Sequence, residues 1–162
     1  ADEIIFTPDR NLASWAQRFT DKKIIPWDGF CYVHDRFTVD EVRKAKEAYP
    51  DALLMVHPEC PPGIVDLADQ VLSTSAMVRL AKESPAGTFL VGTEEGILYR
   101  LRKENPGKTF YSAGTARTCT SMKLTRLGDV MLALQKHQNV IQIPEEIARR
   151  ARGALEKMLR YA

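Results

Sequence analysis

Phe89-Leu90-Val91-Gly92-Thr93-Glu94, an amphipathic stretch, then Thr109-Phe110-Tyr111-Ser112 and Cys119 form the segment that decides the fold. A short apolar run, a polar turn, a helix and a second run read as strand–helix–strand with parallel strands. The same order stands earlier, as Ile4-Ile5-Phe6-Thr7-Pro8-Asp9, a helix, Ile24 to Trp27 and Cys31. The offset from Ile4 to Phe89 is 85 residues. That is longer than a solenoid unit and close to a small domain. A duplicated α/β unit is the expectation.

Outward from these segments the alternation continues. Leu53 to Val56, Val71-Leu72-Ser73 and Val140 to Ile143 read as further strands, with the main runs expected to be buried. Leu12, Trp15, Ala16 and Phe19 mark one apolar helix stripe, and Val42, Ala45 and Tyr49 a second. Leu127, Val130, Met131 and Leu134 mark a third, and Ile147, Ala151, Leu155 and Met158 a fourth. Thr7 with Pro8 reads as N-cap and first helical residue, and Thr38-Val39-Asp40-Glu41 as a capping box. The fold class is α/β, with repeated three-layer αβα domains built on parallel sheets. The second copy has a leading strand and helix that the first lacks. The expected division is therefore an incomplete domain over residues 1–69 and a C-terminal domain with a closing helix over residues 70–162, in a chain that starts inside a domain.

Composition narrows the function. The chain of 162 residues is 44% hydrophobic and 27% charged, which excludes a disordered segment. A net charge of +2 gives no reason to expect a nucleic-acid partner. No apolar run approaches the roughly 20 residues a membrane helix needs, so no membrane partner is expected. No signal-peptide pattern opens the sequence, and the cytoplasm is the expected compartment. Three cysteines, Cys31, Cys60 and Cys119, are an odd count. In a reducing compartment they read as ligands, nucleophiles or core thiols.

Ligands of open parallel sheets bind beyond the carboxyl ends of the strands. The chemically distinctive residues fall there. Cys31 and Cys119 occupy equivalent loops, each after a glycine-containing turn, so one thiolate per repeat can meet at a shared site. Singly, each also suits a packed thiol. Two thiolates are too few for a closed zinc site. Cys60 has no counterpart in the second copy and reads as a packed thiol. His57-Pro58-Glu59 ends a strand; it suits either a substrate carboxylate with proton transfer or a structural pair. Ser73 and Thr74 open a helix, where hydroxyls and amides suit an anion, or Thr74 simply caps it. Gly92-Thr93-Glu94-Glu95-Gly96 lacks the spacing of a nucleotide-binding loop.

Taken together, these blocks resemble quinolinate synthase. Ile4 to Asn11, then Trp27-Asp28-Gly29-Phe30-Cys31 with His34, is similar to the middle domain of that family. Val56-His57-Pro58-Glu59-Cys60, Ser73-Thr74-Ser75-Ala76 and Gly92-Thr93-Glu94-Glu95-Gly96-Ile97 resemble its characteristic stretches. Phe110-Tyr111 through Cys119 with Met122-Lys123, and Pro144-Glu145-Glu146-Ile147, complete the resemblance, which covers essentially the whole chain. It implies three pseudo-symmetric αβα domains, two of them present here and the first of those incomplete. It also implies a [4Fe-4S] cluster with Cys31 and Cys119 as two ligands, the third coming from a missing N-terminal domain. The implied reaction condenses iminoaspartate with dihydroxyacetone phosphate to quinolinate in NAD biosynthesis. His57 and Glu59 match catalytic positions; His57, Pro58, Glu59, Ser73 and Thr74 match substrate contacts. The chain alone is expected to be inactive.

Two rival readings stand beside this one. In the first, thiolates and His34, three residues after Cys31, hold zinc in a non-catalytic scaffold. In the second, helix N-termini at Thr74 and Thr93 bind a phosphorylated metabolite.

Overall fold

The structure is a computed structural model and describes residues 1–161. These divide into two compact units, residues 1–119 and the described residues from 120 onward.

The first unit opens with β1 (Glu3–Phe6), α1 (Arg10–Gln17) and β2 (Lys23–Pro26). The two strands pair in parallel with Ile4 opposite Ile24. The α1 stripe forms as expected, but its cap is Asp9, whose carboxylate accepts from the Leu12 amide, and not Thr7. Thr7 precedes Pro8, and that bond is cis. These strands were expected to be buried, yet Ile5 is 80% exposed. A two-stranded sheet has no flanking strands to cover it, and α1 packs along β2 and against α3.

A four-stranded parallel sheet follows, in the order β4-β3-β5-β6. Its strands are β3 (Leu53–Val56), β4 (Gln70–Val71), β5 (Thr88–Gly92) and β6 (Thr109–Ser112). The connecting helices are α2 (Val39–Ala48) before β3, α3 (Pro62–Val65), α4 (Thr74–Glu83) and α5 (Gly96–Glu104). Thr38 caps α2 by accepting from the Glu41 amide, as its sequence position required.

Period-two alternation explains the three layers. Leu54, Val56 and Leu90 share one buried cluster with Val42, Ile64 and Phe37 on the side of α2 and α3. Met55, Phe89 and Val91 share the other with Met77, Ala81, Leu101 and Phe110 on the side of α4 and α5. Each buried Val, Leu, Ile, Met or Phe among them contributes about 1.5–3 kcal/mol, so these two clusters hold the unit together. Gly92 lets β5 reach β3, since a Cβ there would sit 2.8 Å from Val56. The sheet crosses the expected line between residues 69 and 70, because β3 pairs with β4 on one edge and with β5 on the other.

The second unit holds a short 3-10 turn at Ser121–Lys123, then α6 (Leu127–Lys136) and α7 (Glu145–Met158). Both helices form where their stripes were read, but Leu127, Leu134, Ile147 and Leu155 are exposed. Val140 to Ile143 is not a strand, contrary to its β-branched composition. Val140 and Ile141 are exposed and have no strand to pair with among the described residues. No described helix is long and apolar enough to cross a membrane.

Candidate active site and thiol rim

His57, Pro58 and Glu59 follow the carboxyl end of β3. The His57 amide donates to the Gly92 carbonyl at 3.0 Å, and the Cys60 amide to the His57 carbonyl at 3.0 Å. The first bond extends the β3–β5 ladder one residue past β3, and the second closes a turn at the carboxyl end of that strand. Asn11, buried on α1, ties the same turn down: its side-chain amide donates to the Glu59 carbonyl at 3.2 Å and to Asp35 at 2.9 Å.

The turn meets His34, whose ring stacks on that of His57 at 4.3 Å with 6° between planes. His34 Nδ1 lies 2.9 Å from Glu59 Oε2, and Nε2 lies 2.8 Å from Thr93 Oγ1. The contact has ion-pair geometry, but burial lowers the His34 pKa, outweighing the nearby Asp9 carboxylate that raises it. We therefore treat the ring as neutral. A carboxylate can only accept, so Nδ1 carries the proton and donates to Glu59. Nε2 then accepts from the Thr93 hydroxyl.

His57 is neutral for the same reason. Burial, then the adjoining His34, brings its pKa from 6.5 to about 4, against the opposing pull of Glu59 and Asp9. Its Nδ1 accepts from the Glu59 amide at 3.3 Å and lies 3.7 Å from Glu59 Oε2. Glu59 is thus a half-buried carboxylate steered by one histidine and flanked by another. Such a group can accept a proton and return it.

Cys31 follows β2, and Cys119 follows β6, at the rim expected for both. None of the three cysteines is in a disulfide. The Tyr32 hydroxyl, next in the chain to Cys31, donates to Cys119 Sγ at 3.5 Å, so the two loops meet. Cys31 Sγ, a His34 ring nitrogen and a Glu59 oxygen lie within 4.8 Å of one another, a grouping that suits a metal ion. Cys60 is buried, with Sγ 3.5 Å from the Gly92 carbonyl, and burial pushes its thiol up to about 12. It is a packed thiol, as its sequence context implied.

Ser73 and Thr74 lie exposed at the end of β4, the strand beside β3. The cap of α4 is Ser73, which accepts from the Ala76 amide, and Thr74 is the first helical residue. Thr93, read from sequence as part of a helix N-terminus, is buried against His34, and α5 begins only at Gly96. Its hydroxyl is spent on the imidazole. No local spacing pairs Thr93 with His34, which the sequence placed in the family-like block after β2 and in the zinc reading. The hint was the placement of both at strand ends, Cys31-x-x-His34 after β2 and Thr93 after β5.

The loop that carries Cys119 is clamped by Arg117, which donates to the Arg36 carbonyl at 2.8 Å and to Glu41 at 2.5 Å. Gly114, at φ +150°, brings that loop against Glu41; a Cβ would come within 2.7 Å.

Residues 1–160 match the family model described as Quinolinate synthetase A protein. The quinolinate synthase of Methanoregula boonei is 51% identical over 158 residues, 98% of this chain and 52% of that protein. That of Thermodesulfovibrio yellowstonii is 47% identical over 157 residues, 96% of this chain and 52% of the relative. The Geotalea uraniireducens protein is 49% identical over 157 residues, again with 52% of its length covered. The chain spans about half the length of the curated relatives it matches.

Proposed function

The chain belongs to the quinolinate synthetase A protein family, and from that premise we propose that it is part of a quinolinate synthase. The reaction is the condensation of iminoaspartate with dihydroxyacetone phosphate to quinolinate, with loss of inorganic phosphate and water, in NAD biosynthesis. The observation that carries this reading is the Glu59 carboxylate, held 2.9 Å from a neutral His34 beside a neutral His57 on the thiol rim.

In this reading Glu59 takes and returns the protons that the condensation and its dehydrations release. His57, with Nδ1 bonded to the Glu59 amide, offers Nε2–H to a substrate carboxylate. Pro58 holds the turn between them. Ser73 and Thr74 offer hydroxyls to the same substrate from the neighbouring strand end. A cytoplasmic location belongs to the same proposal.

The donor set fits a [4Fe-4S] cluster in part. Cys31 and Cys119 are half-buried thiols outside any disulfide, on loops that meet through Tyr32, and soft thiolates are the ligands such clusters take. Cys60 is too deeply buried to serve. The third cysteine would belong to the part of the relatives that this chain does not span, and the chain alone would then be inactive. When bound, the cluster supplies Lewis-acid polarisation of substrate oxygens.

A second reading has its own support. Cys31, His34 and Glu59 offer three donors within 4.8 Å, which suits a divalent ion such as zinc in a non-catalytic scaffold. Metal analysis separates the two, since zinc leaves a colourless protein and no sulfide.

The acid–base role is tested by Glu59→Gln in a protein of the relatives' full length. Substrate should still bind while turnover falls by about 10²–10⁴. Turnover at the normal rate would remove Glu59 from the chemistry.

A further inference from the structure

The two halves of the repeat carry a matched pair of buried acids. Asp9 follows β1 and Glu94 follows β5, at corresponding places in the two strand–helix–strand segments. Asp9 is 3% exposed and Glu94 9%. Asp9 Oδ1 accepts from the Leu12 amide at 2.9 Å, and Oδ2 from the Cys31 amide at 2.7 Å. Glu94 Oε2 accepts from the Gly96 amide at 2.7 Å, and Oε1 from the Cys119 amide at 3.3 Å. In each half, one carboxylate joins the start of a helix to the backbone of the cysteine beyond the next strand.

A second correspondence reinforces the first. The amide of the residue after each acid donates to a carbonyl of the cysteine's loop. Arg10 donates to Gly29 at 2.8 Å, and Glu95 donates to Arg117 at 2.8 Å. Both cysteine loops are therefore held by the same two-point device, although the acids differ by a methylene.

We infer that Asp9 and Glu94 are equivalent positioning residues, one per repeat, that fix the backbones of Cys31 and Cys119 so that their thiols face a common site. The inference rests on the proposed reading of these cysteines as joint ligands. The chemistry requires an ionised carboxylate. Each acid must accept two amides with two different oxygens, and bonds to a charged acceptor are the stronger kind. An amide side chain has one oxygen and one NH₂, so it accepts only one of the two bonds and sets a donor against a donor at the other.

The test uses this chain, reduced and metal-free, with dibromobimane, which becomes fluorescent once both its arms are on thiols. Cys60 does not compete, because its thiol is buried and pushed up to about 12. Asp9→Asn and Glu94→Gln should each slow bridging of Cys31 to Cys119 by about tenfold. Thr38→Ala is the control: it removes the α2 cap and lowers the thermal midpoint, but should leave bridging unchanged. Bridging at the wild-type rate in both folded acid variants would overturn the inference. Failure of the wild-type chain to bridge would instead overturn the joint-ligand reading beneath it. If one acid variant does not fold, the other carries the same comparison in its own repeat.

Discussion

Acidifying the chain from about pH 7.5 to about pH 5 tests the buried histidine pair through linked proton binding. His57 is 16% exposed at its side chain, and its pKa is lowered from 6.5 to about 4. The folded chain therefore holds fewer protons on this ring than the unfolded chain throughout that interval. Its stability is complete above pH 6.5 and is lost as the pH falls toward 4. Integrated to pH 5, the difference destabilises the fold by about 2 kcal/mol, and by about 3 kcal/mol at pH 4. His34 is shifted in the same direction by burial and adds to the slope. Glu104, lowered to about 2 by Lys82 and Arg100, stays ionised in the folded chain over this window and is common to wild type and variant, so it drops out of their comparison. Urea unfolding at several pH values, with His57→Gln beside wild type, reads the effect. The variant should lose less stability on acidification by about 2 kcal/mol at pH 5. Parallel curves for the two proteins would refute a buried neutral His57.

Gly114→Ala combines a positive φ with a Cβ 2.7 Å from Glu41, and should destabilise the chain by about 1–3 kcal/mol in urea melts. Leu54→Ala, at a fully buried position on β3, should lose about 2–5 kcal/mol by the same measurement, with an unchanged denaturant slope.

The main sheet was legible because its strands are short apolar runs between capped helices. Leu53 to Val56 and Phe89 to Val91 became the two central strands, buried on both faces, as a parallel sheet requires. The same reasoning misjudged β1 and β2. Their composition resembles that of the central strands, but burial depends on flanking strands that pattern does not encode. Val140 to Ile143 failed for a related reason: β-propensity forms a strand only where a partner exists. The helix caps were legible where one candidate stood alone, as at Thr38. They were missed where two competed, as with Thr7 and Asp9 or with Ser73 and Thr74.

The candidate site could be proposed from residue types, but its wiring was opaque. Cys31, His57, Glu59 and Cys119 were read from motifs and from the repeat. The Thr93–His34–Glu59 bonds join residues far apart in sequence, and no local spacing announces them. The matched bonds of Asp9 and Glu94 were half visible, since both acids stood at matching places in the quoted repeat segments, while the amides they accept from lie in part beyond the next strand.

The most direct test of the central claim is iron and sulfide content after anaerobic reconstitution. The protein would be this chain joined to the N-terminal half of the Methanoregula boonei relative, with and without Cys31→Ser and Cys119→Ser. The account predicts matched iron and sulfide in the parent protein, with quinolinate formed from iminoaspartate and dihydroxyacetone phosphate, and loss of the cluster in each variant. A folded parent protein that holds zinc without sulfide, or a cluster indifferent to both cysteines, would contradict it.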